Sequence, residues 1–80
     1  MQIRLLKQPQ KYLASVDAPT RKKLEKALYA LARLEGDIVR LKGTDYFRYK
    51  IAHYRIIFRI DDPGELIIVS TINTRTNIKY

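Results

Sequence analysis

The chain has no cysteine, a single histidine, three prolines and three glycines among its 80 residues. Without cysteine there is no disulfide framework, no thiolate metal site and no thiol nucleophile. One histidine, His53, cannot by itself build a histidine-based metal site. The aliphatic run Leu66 to Val69 is far shorter than the ~20 apolar residues of a membrane-spanning helix. The opening segment, Met1 to Lys7, lacks the apolar stretch and small-residue cleavage site of a secretion signal. These absences lead to the expectation of a cytoplasmic protein that uses no cofactor and no metal. Acidic residues are also scarce. Lys and Arg number 16 against 8 Asp and Glu, a net charge of +8 with a sequence pI near 10.0. On so small a body that surplus creates a positive field favouring nucleic acid, anionic lipid or an acidic protein partner. The 46% hydrophobic content is enough for one core, so a single domain over residues 1–80 is expected.

Sparse breaks at Pro9, Pro19, Gly36, Gly43 and Pro63-Gly64 divide the chain into an N-terminal segment, a helical stretch and a β-rich half. Ile3 to Leu6 is apolar and short, consistent with a strand. Pro9 suits a first helical turn, and Tyr12, Leu13 and Val16 recur at helical spacing, which predicts a helix over 9–16. A second helix is signalled by Asp17 as N-cap, Pro19 in the first turn, and Leu24, Ala27, Leu28, Leu31 and Leu34 at a 3.6 period. Gly36 is expected to provide its left-handed C-cap. Arg21, Lys22, Lys23 and Lys26 cluster near the start of this helix, against its dipole, as either a solvated face or an interaction surface.

From Phe47 the period changes to two. Residues 47–51 and 54–60 read as strands, Asp61-Asp62-Pro63-Gly64 as a turn, and Glu65 to Asn73 as a third, more buried strand. This order gives an α+β fold with helices on one face of an antiparallel sheet. A two-residue loop at Ala52-His53 would pair Ile51 with Tyr54, Lys50 with Arg55, Tyr49 with Ile56, Arg48 with Ile57 and Phe47 with Phe58. One face would then carry Phe47, Tyr49, Ile51, Tyr54, Ile56 and Phe58. The other would carry Arg48, Lys50, Arg55 and Arg59. Like charges directly opposite each other destabilise a hairpin by up to about 1 kcal/mol per pair, so such a face is a poor choice for stability alone. Cations that solubilise an exposed face, or distant carboxylates that neutralise them, would be the plain explanations. An anion site explains the pattern better. An antiparallel third strand would bring Arg75, and with it Tyr80, towards the same end of the hairpin.

The block Leu41-Lys42-Gly43, Phe47-Arg48-Tyr49-Lys50-Ile51, Tyr54-Arg55-Ile56-Ile57-Phe58 and Asn73-Thr74-Arg75 resembles the RelE/ParE toxin superfamily, RelE-like branch. The resemblance implies two N-terminal helices packed on an antiparallel sheet joined by a short N-terminal strand, and a cognate antitoxin that holds the toxin inactive. In the RelE branch the activity is ribosome-dependent cleavage of mRNA in the A site; in the ParE branch it is inhibition of DNA gyrase without nuclease chemistry. Residue by residue, Arg48 and Lys50 match the basic pair near the scissile phosphate and Arg55 the arginine of the "YR" motif. Arg75 matches the arginine after the last strand, and Tyr80 resembles the C-terminal tyrosine. Three departures stand out: Ala52-His53 replaces a Gly-Asp-like turn, Thr74 replaces a frequent histidine, and Tyr80 lies one position off the usual spacing.

RNA cleavage by its own 2′-hydroxyl needs an in-line nucleotide, a base, stabilisation of the phosphorane and a proton for the leaving 5′ oxygen. With His53 alone at a turn, ordinary acid–base groups are few. Crowded cations lower the pKa of a neighbouring Lys or Tyr and offer another route. On this reading Arg55 binds the phosphate and stabilises its transition-state charge. Lys50 or Tyr80 acts as base, Arg75 assists the phosphate or leaving group, and Arg48 and Arg59 bind substrate. A weak acid–base set leaves much of the barrier to orientation, which rRNA can supply. Arg21, Lys22, Lys23 and Lys26 would contact rRNA phosphates. Two other readings stay open: a ParE-like gyrase inhibitor, and a plain RNA-binding module.

Overall fold

The computed structural model describes residues 1–61, 63 and 65–80, and its elements follow the expected order. They are β1 (Gln2–Leu5), α1 (Lys7–Ser15), α2 (Ala18–Ala32), β2 (Asp37–Arg40), β3 (Tyr46–Ile51), β4 (Tyr54–Asp61) and β5 (Leu66–Thr74). The strands form one sheet in the order β1-β5-β4-β3-β2. From β2 to β5 the pairing is antiparallel, as expected. The short N-terminal strand joins the sheet as expected, and its direction, which the sequence did not set, is parallel to β5: Gln2 to Leu5 lie beside Leu66 to Val69, so the sheet is mixed. The helices and the three strands that separate β1 from β5 supply the long crossover that parallel neighbours require. Strand β2 is too short to announce itself by periodicity and was not expected. Of the turn expected at Asp61-Asp62-Pro63-Gly64, Asp62 and Gly64 lie outside the described residues.

The hairpin register is the one read from the alternation: Ile51 pairs with Tyr54, Lys50 with Arg55, Tyr49 with Ile56, Arg48 with Ile57 and Phe47 with Phe58. One face packs under the helices, where Ile56, Phe58, Ile67, Val69 and Ile72 meet Leu24 and Leu31 in a cluster closed to solvent. Phe47 and Phe58 stack with ring centroids 5.2 Å apart. A bulge between β4 and β5 lets Ile57 face Thr71 while Phe58 faces Val69, leaving Ser70 as the extra residue. Without that extra residue Val69 and Ile72, three apart, could not both point into the core. Ser70 Oγ donates to the Ile57 carbonyl at 3.2 Å and steadies the irregularity.

Helix α1 covers 7–15 rather than 9–16, and its Pro9 is buried within the first turn. Asp17 is the N-cap of α2 by backbone position but makes no side-chain cap bond. The left-handed residue that ends α2 is Leu34 (φ +54), not Gly36. The Leu34 N–H donates to Leu31 O at 2.8 Å and the Glu35 N–H to Ala30 O at 3.1 Å, a Schellman closure built without glycine. Gly36 serves a different purpose. A Cβ there would stand 2.5 Å from Tyr49 Cε1, so the bare backbone lets the buried Tyr49 ring pass beneath the entry to β2.

Candidate functional site

The alternation of β3 and β4 places Arg48, Lys50, Arg55 and Arg59 on the sheet face away from the helices, with Lys50 directly opposite Arg55. β5 adds Thr71 opposite Ile57 and Asn73 opposite Arg55. Arg75 is drawn to the same end of the sheet, because its N–H donates to the His53 carbonyl at 2.7 Å. The backbone positions of Lys50, Arg55 and Arg75 thus lie together beside the Ala52-His53 turn. Lys50, His53 and Arg75 are exposed there, and none of their side chains hydrogen-bonds within the described residues.

Arg55 differs from its neighbours. It is 9% exposed, and its Nη1 donates to the carbonyls of Ala52 at 3.1 Å and Tyr54 at 2.9 Å. One nitrogen of this guanidinium thus ties the hairpin turn together. Its Nε and Nη2 have no partner among the described residues. Arg48 is also half engaged: Nη2 approaches Asp37 Oδ1 at 3.3 Å, and its Nε is buried without an acceptor. Asp37 escaped sequence reasoning because β2 did. The only signal would have been the short alternation of 37–40 against 47–50.

The remaining expected residues are spread more widely. Arg59 lines a cavity of about 290 Å³ with Arg40, Asp45, Phe47 and Ile60, at the opposite end of the strands from the Arg55 turn. Tyr80, 70% exposed, borders a cavity of about 200 Å³ with Tyr46, Ile57, Ser70 and Thr71, over the middle of the face. Ile57 and Ile68 are nearly closed to solvent, so the face has an apolar middle between its cations. Of the basic cluster on α2, Lys22, Lys23 and Lys26 are exposed. Arg21 is not part of that surface. Its Nε donates to Leu13 O at 2.8 Å and its Nη2 to Val16 O at 2.9 Å, closing the end of α1. Carbonyls at a helix C-terminus have no intrahelical donor, and this guanidinium supplies one.

On the helix side, Met1, Ile3, Leu13, Leu28 and Tyr29 line an apolar concavity of about 440 Å³. No described helix is long and apolar enough to cross a membrane, and no cluster of three His, Asp or Glu side chains among the described residues could hold a metal ion.

The family model described as ParE toxin of type II toxin–antitoxin system, parDE, matches residues 3–78. Solved structures with a similar fold include the isolated Escherichia coli RelE toxin, at TM-score 0.75 and 17% identity, covering 91% of this chain and 82% of that one. The YoeB/ParE toxin from Agrobacterium tumefaciens superposes at TM-score 0.75 with 18% identity, covering 94% and 99% of the two chains. The archaeal RelE–RelB complex from Pyrococcus horikoshii OT3 gives TM-score 0.73 with 22% identity, covering 96% and 97%. No curated protein is significantly similar in sequence.

Proposed function

The chain belongs to the family of ParE toxins of type II toxin–antitoxin systems, and on that premise we propose that this toxin is a ribosome-dependent endoribonuclease that cuts mRNA in the A site by 2′-hydroxyl attack. One observation supports the reading above the others. Lys50, Arg55 and Arg75 gather at one end of a single sheet face, and none of them has a carboxylate partner among the described residues. A face evolved only for stability would not align Lys50 with Arg55 while neither forms an ion pair among the described residues.

On this reading each residue has a role. Arg55 is fixed through Nη1 and presents its remaining N–H groups to a phosphate, so its charge is preorganised for the phosphorane. Lys50 or Tyr80 takes the 2′ proton as the 2′ oxygen bonds to phosphorus. Arg75 stabilises the departing 5′ oxygen, which takes a proton from water to become the 5′-hydroxyl, while the base returns its proton to solvent. The products are a 2′,3′-cyclic phosphate and a free 5′-hydroxyl. Arg48 and Arg59 bind the RNA backbone on either side, and Lys22, Lys23 and Lys26 dock on rRNA. Ribosomes and mRNA set the place of action in the cytoplasm, with residues 1–80 acting as one domain. The inhibiting partner is a cognate antitoxin, as in the RelE–RelB complex of similar fold. The apolar concavity beside Tyr29 suits an amphipathic segment of such a partner.

Primer-extension mapping of transcripts after induction tests this. Cuts within codons that vanish in Arg55→Ala and Arg75→Ala variants are expected. A second reading, gyrase inhibition without RNA cleavage, is favoured by the ParE character of the family match. It takes over if supercoiling is blocked while transcripts stay whole.

A further inference from the structure

We infer that Asp37 is a positioning residue for the proposed RNA cleavage, acting through Arg48 to keep its guanidinium in place on the basic face. This rests on the endoribonuclease reading. Asp37 lies on β2, directly opposite Lys50 in register and diagonal to Arg48. Its Oδ1 meets Arg48 Nη2 at 3.3 Å, with the aspartate side chain 52% exposed and the arginine 24% exposed. Among the described residues it is, in the sheet register, the carboxylate nearest Arg48, Lys50 and Arg55. The aspartate has two nearby cations and bonds one of them.

That choice has consequences for both. The bond draws the Arg48 head toward the row of the sheet that holds Asp37 and Lys50, and the carboxylate's charge there offsets repulsion between the two cations. The Arg48 Nε is buried without an acceptor, so the guanidinium is held by a single ion pair at one nitrogen and not by a full set of bonds. Without the carboxylate, nothing among the described residues would bond the Arg48 side chain; packing would still hold its stem, but the terminal nitrogens would lose the contact that aims them. A misplaced cation costs turnover far more than it costs binding, because reaction needs one geometry and phosphate attraction tolerates many. The carboxylate also carries negative charge onto a surface that RNA approaches, so it opposes binding through the same field that draws RNA in.

These two effects have opposite signs, which a residue serving the fold alone would not produce. For Asp37→Asn, which keeps size and shape, single-stranded RNA should bind about 2–5-fold more tightly at low salt, the gain shrinking as salt rises. Cleavage of ribosome-bound mRNA at saturating complex should be slower by about 10–100-fold. Asp37→Glu should restore part of the turnover, and in an Arg48→Ala background Asp37→Asn should slow cleavage no further while still tightening binding. The measurements are fluorescence anisotropy with a labelled oligouridine and single-turnover cleavage on programmed ribosomes, with thermal melts to confirm folding. A parent that cuts while Asp37→Asn cuts equally fast, or loses affinity and turnover together, overturns the assignment alone. A parent that cuts no ribosome-bound mRNA overturns the functional reading and the assignment with it.

Discussion

The side-chain amide of Gln8 takes the place of a strand beside Ile72. Gln8 Nε2 donates to the Ile72 carbonyl at 2.8 Å, and the Ile72 N–H donates to Gln8 Oε1 at 2.9 Å. β1 stops at Leu5 and Leu6 makes one more backbone bond, to Val69. Gln8, already in α1, then continues the ladder where no strand residue remains. It thereby fixes the course of β5 just before the segment that delivers Asn73 and Arg75 to the basic face.

Replacing Gln8 with alanine should therefore be costly. Two backbone groups at a fully buried residue would lose their partners, a loss of about 1–3 kcal/mol in unfolding free energy. Urea denaturation should show a lower midpoint with an unchanged slope. An unchanged midpoint would mean that water replaces the amide.

Arg55 and Arg75 should separate stability from activity. Arg55→Ala removes a charged donor from the Ala52 and Tyr54 carbonyls and should cost about 1.5–3 kcal/mol along with cleavage. Arg75 is exposed with no side-chain bond, so Arg75→Ala should stay within about 0.5 kcal/mol of the parent while cleavage falls. Thermal melts beside transcript mapping read both. Equal destabilisation by the two would show that Arg75 also holds the fold.

The cluster on α2 should divide in the same manner. Arg21→Ala leaves the Leu13 and Val16 carbonyls without their donor and should lower the melting temperature while leaving the salt dependence of ribosome binding alone. Replacing Lys22, Lys23 and Lys26 together should lower the slope of log affinity against log salt by up to about 3, with little change in melting. A slope that responds to Arg21 instead would put its guanidinium on the nucleic acid.

Alkaline stability should be limited by tyrosines of the core. Burial pushes the Tyr49 hydroxyl above its ordinary 10.0, with Glu35 adding to the rise and Arg33 opposing it. Burial also raises Tyr12, with a smaller contribution from Tyr54. Between 10.0 and the raised values the folded chain keeps protons that the unfolded chain has released. Stability is thus intact below about pH 10 and declines as pH climbs through the folded values. Denaturation midpoints from pH 8 to 11 should show that decline, and Tyr49→Phe should flatten it.

The alternation of residues 47–60 by itself determined the hairpin, its register and the face on which Arg48, Lys50, Arg55 and Arg59 begin, because a period of two and a two-residue turn admit one pairing that buries the aromatics. Helix periodicity likewise determined α2 and its buried Leu24 and Leu31. The tertiary structure decided what each cation does. Arg21 and Arg55 turned to carbonyl groups and Arg48 to Asp37, since a charged donor settles on whichever acceptor the packing brings near, and neighbours distant in sequence leave no mark on local pattern. It also decided the parallel placement of β1, the bulge at Ser70 and the left-handed Leu34, none of which alters a residue's own propensity. Local rules set where a side chain starts, and contacts across the fold set where it ends.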